Sequence, residues 1–360
     1  MASSRWRWSS ALTNVLLLVL LFTTPVASYA QSAPELNLLA MGDWGEAKSA
    51  QSAVAQAMTN YVTAQTQPID AMLLAGDNFY VPLSGVEDEA WQSLFEQMYD
   101  PKKLNFPFYV SLGNHDYDNA KFKIELDYAR LHPKSRWKFP ARWYRIDLPA
   151  NKPLAMILML DSNQPNLSAA QWTEQIVWLD RELANPRNAP WVICCAHHPL
   201  FSNGVAADNG ILQRDWGTLF QKYHVDFYLC GHEHNLQHLE IPNWGPSFVL
   251  AGGGGAHSHP MLRNNRGPFS RSVYGFAHFE LTPALATVRY IGADGNPLHI
   301  FQRTKAGQTT VLLNTKSDSP VDKPLEAIMG IYGRLRPQTQ PTSQPTTMPT
   351  TQKFPAPIEP

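Results

Sequence analysis

The sequence has few of the features that mark disulfide-rich proteins. Only three cysteines occur among 360 residues, Cys194, Cys195 and Cys230, and each lies in an apolar stretch. A framework of disulfides is therefore excluded, and buried free thiols are expected. The alternative is a bond from Cys230 to Cys194 or Cys195, which requires their two stretches to form neighbouring strands.

The sequence also lacks an excess of charge of either sign. With 29 basic and 30 acidic residues the formal net charge is −1, so bulk electrostatics give no reason to expect nucleic-acid binding. No internal repeat is present, and beyond the N-terminus no apolar stretch is long enough to span a bilayer. Hydrophobic residues make up 44% of the chain, which is enough for a sizeable core.

The N-terminus has the pattern of an export signal. Two arginines precede the apolar stretch 15–22, and Ser28 and Ala30 supply the small residues that a signal peptidase requires. We therefore predict that residues 1–30 are a signal peptide, with an uncleaved N-terminal anchor as the alternative. After cleavage no membrane association is expected, and the protein is predicted to be secreted or periplasmic.

Five short apolar stretches each end in a polar motif, as buried strands followed by loops do. The motifs are Gly42-Asp43-Trp44-Gly45, Gly76-Asp77-Asn78-Phe79-Tyr80, Gly113-Asn114-His115-Asp116, His197-His198-Pro199 and Gly231-His232-Glu233-His234. Helical patterns lie between them, and one begins with a capping box at Ser168 and Gln171. This alternation predicts an α/β fold with a largely parallel central sheet. After about residue 245 it gives way to strands that could complete a second sheet.

Ligands of α/β proteins bind beyond the carboxyl ends of parallel strands, so the five motifs are expected to converge. They would bring together seven candidate metal ligands: Asp43, Asp77, Tyr80, Asn114, His197, His232 and His234. Carboxylate, amide, phenol and imidazole groups suit iron, manganese or zinc. Seven ligands are too many for one ion, whereas a bridging carboxylate lets two ions, roughly 3.5–4 Å apart, clamp a phosphate.

The order of these motifs resembles that of the calcineurin-like binuclear metallophosphoesterases. Tyr80, three residues after Asp77, and the absence of an Asp-x-His first motif make the chain similar to the purple acid phosphatases, especially the small, mammalian-type tartrate-resistant form. The resemblance covers roughly residues 36–281. It implies an α/β sandwich of two β-sheets flanked by α-helices and built on βαβ units.

The resemblance also implies a role for each candidate ligand. A ferric ion would be held by Asp43, Asp77, Tyr80 and His234. A divalent ion, Fe(II), Zn(II) or Mn(II), would be held by Asp77, Asn114, His197 and His232. Asp77 would bridge the two ions, and a metal-bound hydroxide would attack the phosphorus of a phosphate monoester.

Four further residues are candidates for catalysis. By the same resemblance, His115 contacts substrate and protonates the leaving group, and Asp116 is expected to orient it. His198 is a second candidate for phosphate contact. Asn209 stands in Ala207-Asp208-Asn209-Gly210, where relatives often carry another active-site histidine. An asparagine can hydrogen-bond phosphate but cannot supply a proton.

We therefore expect an exported acid phosphatase, a monomer that acts on a small phosphomonoester or a phosphoprotein. Its catalytic domain is predicted over residues 31–305, followed by an extension over 306–337. Residues 338–360 are rich in Pro, Thr and Gln, which is typical of a disordered tail. The alternatives are a phosphodiesterase or nucleotidase on the same metal site, and a non-catalytic relative that keeps the fold. A purely structural metal domain is disfavoured because no Cys-rich closed site is present.

Overall fold

The computed structural model describes Met1, residues 35–185 and residues 189–318. Contacts within the chain divide it into two units, residues 1–33 and residues 34–360. The fold described below belongs to the second unit. Among the described residues, none of the helices combines the length and the apolar character needed to cross a membrane.

Several predictions concern the two ends of the chain. Apart from Met1, the predicted signal peptide, residues 1–30, lies outside the described residues, and so does the predicted tail, 338–360. The predicted extension, 306–337, is described as far as residue 318. Within it, Thr309–Asn314 forms an edge strand of a sheet, so the sheet continues past residue 305.

Fifteen strands occur in the described part of the chain. They are β1 (Leu36–Met41), β2 (Ala71–Ala75), β3 (Phe108–Ser111), β4 (Trp137–Lys138), β5 (Tyr144–Leu148), β6 (Ala155–Met159), β7 (Trp191–Cys195), β8 (Phe227–Cys230), β9 (Leu236–Leu239), β10 (Ser247–Ala251), β11 (Phe269–Arg271), β12 (Gly275–Leu281), β13 (Leu285–Gly292), β14 (Pro297–Thr304) and β15 (Thr309–Asn314).

The helices of the described residues are of three kinds. The α-helices are α1 (Ser49–Ala64), α2 (Lys121–Leu131), α3 (Ala169–Ala184), α4 (Gly210–Leu212) and α5 (Thr218–Lys222). The 3₁₀ segments are His115–Ala120 and Gln164–Asn166. Wider π-helical turns occur at Trp91–Glu96 and Gln213–Gly217, where the sequence predicts ordinary helices.

The strands form two mixed sheets. The eight-stranded sheet has the order β15-β14-β13-β12-β1-β2-β3-β4, and the seven-stranded sheet has the order β11-β9-β10-β8-β7-β6-β5. Strands β1 to β4 are parallel, as are β6, β7, β8 and β10, whereas the remaining pairs are antiparallel. The fold of two sheets flanked by helices is thus confirmed. The expectation of a largely parallel sheet holds only for one half of the eight-stranded sheet, β1 to β4, and for the middle of the seven-stranded sheet. The other strands are antiparallel, and most of them follow residue 245.

The core has two parts, because side chains along each strand of the seven-stranded sheet point alternately to its two faces. One face of this sheet packs against the eight-stranded sheet, where Phe227 meets Phe279 with ring centroids 5.4 Å apart. The other face packs against the helices. The cysteines follow this alternation: Cys195 belongs to the first part, and Cys194 and Cys230 belong to the second. All three are buried and form no disulfide, as expected.

The predicted capping box at the start of α3 is confirmed. The Ser168 hydroxyl accepts a hydrogen bond from the Gln171 backbone N–H at 3.2 Å, and the Gln171 side chain accepts one from the Ser168 N–H at 3.0 Å. These bonds satisfy amide groups that the helix leaves unpaired at its start. The apolar stripe of α3, which includes the buried Trp172 and Leu179, then packs on the seven-stranded sheet.

A buried histidine links α1 to the eight-stranded sheet. The Tyr61 hydroxyl lies 2.8 Å from Nδ1 of His278, and Nε2 of His278 lies 3.0 Å from Oδ1 of Asn37. A neutral ring satisfies both contacts, with Nδ1 accepting and Nε2–H donating. Burial, followed by the charge of Arg289, lowers the pKa of His278 to about 3.

We predict that Ser168→Ala lowers the free energy of unfolding by about 1 kcal/mol, because α3 loses its N-cap. Chemical denaturation of the metal-replete protein measures this change. Thr173→Ala is the matched control, since Thr173 is an exposed hydroxyl residue of the same helix. An equal effect of the two substitutions would show that the capping box contributes nothing.

We further predict that His278 makes the protein less stable in acid. Its pKa is about 3 in the fold and about 6.5 in the unfolded chain. Between these pH values the unfolded chain binds a proton that the folded chain does not. The free energy of unfolding therefore falls as the pH falls, by up to about 1.4 kcal/mol per pH unit.

In His278→Gln this loss on acidification should be smaller than in the wild type. Denaturation curves at several pH values between 7 and 4 compare the two proteins. His224→Asn at an exposed position controls for the removal of a histidine. Parallel pH profiles for the wild type and His278→Gln would contradict the assignment.

Candidate metal centre

Five loops meet where β1, β2, β3, β7 and β8 end. Backbone hydrogen bonds hold them together: the N–H of Asp43 donates to the Gly76 carbonyl at 3.0 Å, and the N–H of Gly231 donates to the His197 carbonyl at 3.0 Å. The first three strands belong to one sheet and the last two to the other. The site therefore lies at the carboxyl edge shared by both sheets, and it contains all seven candidate ligands.

The first group of ligand atoms surrounds the Tyr80 hydroxyl. This oxygen lies 3.3 Å from Oδ1 of Asp43, 3.1 Å from Oδ2 of Asp77 and 3.0 Å from Nε2 of His234. Nε2 of His234 in turn lies 3.3 Å from Oδ1 of Asp43. Four donor atoms thus face one another at nearly equal spacing.

The second group surrounds Nε2 of His197. This nitrogen lies 3.2 Å from Oδ1 of Asn114, 3.1 Å from Nδ1 of His232 and 3.4 Å from Oδ2 of Asp77. The Asp77 oxygen is the same atom that contacts the Tyr80 hydroxyl. The two groups therefore share a single carboxylate oxygen.

The spacing of these atoms fits bound metal ions. Two atoms that each lie about 2.1 Å from one ion, at octahedral or tetrahedral angles, are about 3.0–3.4 Å apart. Oxygen and imidazole donors suit iron, zinc and manganese. Ligand atoms of Asp43, Asp77 and His197 all lie within 4.8 Å of one another. The side chains can hold two ions, with Asp77 between them.

Contacts behind the ligands orient two of the imidazole rings. Nδ1 of His197 donates to the Ala75 carbonyl at 2.9 Å, and Nδ1 of His234 donates to the His257 carbonyl at 2.6 Å. A carbonyl can only accept, so Nδ1 carries a proton in both rings and Nε2 is the atom that faces the centre. Metal-binding histidines commonly show this arrangement.

The charges of the centre favour bound cations. Burial opposes ionisation of Asp77, but the neighbouring His197 outweighs it and holds the pKa of the Asp77 carboxyl well below its usual range. Burial and the Asp77 carboxylate raise the pKa of Tyr80 well above its usual value. Tyr80 can therefore ionise only beside a strong positive charge such as a metal ion.

Three of the seven candidate ligands have left-handed backbone conformations. The φ angles are 60° at Asp43, 51° at Asp77 and 66° at His232. Residues other than glycine rarely adopt this region, and such strain clusters at functional sites. Each of the three follows a glycine in its motif, so the strand turns sharply and its side chain points into the centre.

The motif glycines also allow the loops to approach closely. A Cβ atom at Gly113 would lie 2.1 Å from Oδ1 of Asp77, and one at Gly231 would lie 2.3 Å from Oδ2 of Asp43. Any side chain at these two positions would collide with a candidate ligand. The glycines therefore set how near the carboxylates can come to the other loops.

His115 lies beside the centre but has a different partner from the one expected. Its backbone N–H donates to Oδ1 of Asp77 at 2.8 Å, and its ring centroid lies 4.5 Å from that of Tyr80. Nδ1 of His115 lies 3.0 Å from Oδ2 of Asp118. Asp118, which the sequence analysis missed, therefore replaces Asp116 as the residue that contacts the His115 ring.

Asp116 is fully buried and faces the neighbouring loop instead. It accepts hydrogen bonds from the backbone N–H groups of Gly113 at 2.7 Å and Asn78 at 2.9 Å, and from the Asn78 side chain at 3.0 Å. These bonds join the Gly113-Asn114-His115-Asp116 loop to the Gly76-Asp77-Asn78-Phe79-Tyr80 loop. Its carboxylate thus holds two ligand-bearing loops in register.

His198 and Asn209 both make local contacts. Nδ1 of His198 lies 2.8 Å from the Ser162 hydroxyl, and the His198 ring lies 4.5 Å from that of His232. Burial and then His197 lower the pKa of His198 to about 3, so its ring is neutral. Oδ1 of Asn209 accepts from the Leu212 N–H at 3.1 Å and caps the short α4.

Several supporting residues were not identified from the sequence. Asn78 lies within a motif, but Glu125 and Lys121 lie on α2 without any local signal. Asn78 donates to Glu125 at 3.3 Å, and the Lys121 ammonium donates to the Phe79 carbonyl. Such partners are recognisable only once α2 is placed beside the loops.

Comparison with known proteins agrees with this geometry. Residues 36–236 match the family described as calcineurin-like phosphoesterase. A tartrate-resistant acid phosphatase type 5 of Oryctolagus cuniculus is 33% identical over 317 residues, which cover 78% of this chain and 95% of that protein. Purple acid phosphatase 7 of Arabidopsis thaliana is 27% identical over 297 residues, or 75% of this chain and 86% of that protein.

Solved structures share the fold. GAP50, the anchor in the inner membrane complex of Plasmodium, superposes with a TM-score of 0.63 at 20% identity and covers 87% of this chain and 99% of its own. The purple acid phosphatase PPD1 of yellow lupin, Lupinus luteus, superposes with a TM-score of 0.59 at 19% identity, over 76% of this chain and 54% of its own.

The family match spans more than half of the chain, and the Oryctolagus cuniculus relative aligns over nearly its whole length. The chain therefore belongs to the calcineurin-like phosphoesterases and, within them, to the purple acid phosphatases, which makes it a hydrolase of phosphate esters.

Proposed function

We propose that the protein hydrolyses phosphate monoesters at a centre of two metal ions. The observation that carries the proposal is the single oxygen, Oδ2 of Asp77, that belongs to both groups of ligand atoms. The first ion would be held by Asp43, Asp77, Tyr80 and His234. The second would be held by Asp77, Asn114, His197 and His232.

The two groups of candidate ligands contain different kinds of side chain, and we therefore propose a different ion for each group. Two carboxylates and a phenol in the first group favour a hard, highly charged cation, for which we propose Fe(III). An amide and two imidazoles in the second group suit a divalent ion, Fe(II), Zn(II) or Mn(II). When bound, the ions neutralise phosphate charge and lower the pKa of coordinated water.

The chain's own residues bind the phosphate and assist departure of the alcohol. His115 is the proposed proton donor to the leaving oxygen, because its ring lies against Tyr80 at the edge of the centre. His198 is neutral, and with the Ser162 hydroxyl as donor to its Nδ1, Nε2–H is left as a hydrogen-bond donor to phosphate. Asn209 can contribute only its amide N–H groups, because its oxygen caps α4.

Fold alone does not decide whether such a chain is catalytic, since function depends on the side chains of the site. The anchor GAP50 of Plasmodium shares the fold. In this chain, each of the seven candidate ligands lies within hydrogen-bonding distance of at least one other, which supports an enzyme rather than a non-catalytic relative.

The location and organisation of the protein are further proposals. Residues 1–30 support export, so we propose a secreted or periplasmic monomer that acts on small phosphomonoesters or phosphoproteins. The domain scheme is a catalytic domain over 31–305, an extension over 306–337 and a tail over 338–360. The strand Thr309–Asn314 attaches the start of that extension to the eight-stranded sheet.

We predict that Asp77→Ala and His232→Ala each lower turnover of p-nitrophenyl phosphate by at least about two orders of magnitude. They should differ in metal content. Asp77→Ala removes the shared oxygen and should lose both ions, whereas His232→Ala should retain the first. Elemental analysis of the folded, purified variants measures the number of ions bound.

His132→Ala is the control, because His132 lies outside the centre and its loss should leave both activity and metal content unchanged. The wild type should also turn over p-nitrophenyl phosphate faster than bis(p-nitrophenyl) phosphate. A preference for the diester would exclude a monoesterase, and near-normal turnover of folded Asp77→Ala would exclude the two-ion centre.

We also predict a visible absorption band from the Tyr80 phenolate bound to ferric iron. Tyr80→Phe should abolish the band, because it removes the phenolate oxygen that donates charge to the ion. Tyr117→Phe should keep it, since the Tyr117 hydroxyl bonds to Asp161 rather than to the ligand groups. A protein that holds two metals without this band would refute the ferric assignment.

A further inference from the structure

A strained turn follows the His115 segment. Asn119 and Ala120 have φ angles of 54° and 57°, so two successive residues other than glycine adopt the left-handed conformation. Asp118 before them is extended, with φ −60° and ψ 126°. An uninterrupted helix from residue 115 into α2 would avoid this strain, so other contacts must favour the break.

The segment is held firmly on both sides of the turn. On one side, Asp116 accepts from the N–H groups of Gly113 and Asn78, and the Tyr117 hydroxyl donates to Asp161 at 2.5 Å. On the other side, the buried Lys121 ammonium donates to the Phe79 carbonyl. These contacts over-determine the backbone, which is the condition under which strain persists.

The Asp118 side chain lies beside His115, on the side of the break that leads to the metal centre. Oδ2 of Asp118 lies 3.0 Å from Nδ1 of His115, three residues earlier in the chain. The backbone of His115 is itself bonded to Asp77. The contact therefore connects the strained turn to a histidine that is anchored at the metal centre.

We propose that Asp118 is a positioning residue for His115, an inference that rests on the proposed function. Its carboxylate accepts from Nδ1–H and so holds the ring with Nε2 left for the substrate. As a water oxygen bonds to phosphorus, the P–O bond to the alcohol breaks. Its electron pair goes to the leaving oxygen, and the Nε2 proton of the imidazolium is transferred there. The ring that remains is neutral and keeps Nδ1–H on Asp118.

The pair contributes little to folding, which makes the inference testable. The side chains of His115 and Asp118 are 39% and 61% exposed, and an exposed ion pair contributes little stability. Removal of the Asp118 carboxylate should therefore leave the fold and the metal content unchanged. Asp127, an exposed carboxylate on α2 that pairs with Arg130, provides a matched control.

The experiment compares two monoesters with different leaving groups. The alkoxide of β-glycerophosphate needs a proton, whereas the phenolate of p-nitrophenyl phosphate leaves without one. Asp118→Ala should lower kcat for β-glycerophosphate about tenfold and change kcat for p-nitrophenyl phosphate by less than about twofold. Asp118→Asn should restore part of the loss, because its amide oxygen still accepts from Nδ1–H. Asp127→Ala should match the wild type.

A double-mutant cycle shows whether Asp118 acts through His115. His115→Ala should show a larger loss with the same leaving-group dependence, and adding Asp118→Ala to it should cause no further loss. Equal falls on both esters, additive losses, or wild-type rates in Asp118→Ala would each overturn the inference. Failure of the metal-replete wild type to hydrolyse either ester would instead overturn the proposed function, and the inference with it.

Discussion

The centre depends on one buried carboxylate oxygen. Oδ2 of Asp77 contacts both the Tyr80 hydroxyl and Nε2 of His197, so it joins two groups of ligand atoms from both sheets. A buried negative charge is unfavourable unless it is paired. The imidazole of His197 and the N–H of His115 supply that pairing within the chain, and bound cations would strengthen it. Because Asp77, His115 and His197 follow β2, β3 and β7, the contacts of Asp77 constrain how these three strands are placed.

This arrangement requires unfavourable local geometry. Asp43, Asp77 and His232 adopt left-handed backbone conformations, and glycines admit neighbouring loops to distances that no other residue would allow. Contacts behind the ligands offset the strain. Asp116 and Asn78 bond two loops together. Glu125 also lies there, and burial, with the nearby Asp116, raises its pKa well above its usual value, which favours the protonated form. These groups support the candidate ligands from behind.

The same dependence on supporting contacts extends to the residues that are proposed to contact substrate. Asp118 contacts His115, three residues earlier in the chain, and after it the chain breaks and enters α2 through two left-handed residues. The His198 ring contacts the Ser162 hydroxyl, and the His198 backbone carbonyl accepts a hydrogen bond from the Tyr228 hydroxyl at 2.6 Å. The rings of His115 and His198 are thus each oriented by a hydrogen bond, His115 with Asp118 in the same segment and His198 with Ser162 in another loop.

The order of residues in the sequence was enough to predict the metal centre and the family. The five motifs end buried strands, so their polar residues had to meet at one edge, and Tyr80 after Asp77 pointed to the purple acid phosphatases. The sequence did not predict that Asp118 contacts His115, that Asn209 caps α4 or that both sheets are mixed. Local patterns record periodicity and turn chemistry, which are short-range properties. The contact of Glu125 depends on a helix packed from elsewhere in the chain. Those of Asp118 and Asn209 span three residues, but they depend on where a helical segment breaks or begins, and only folding in three dimensions sets this.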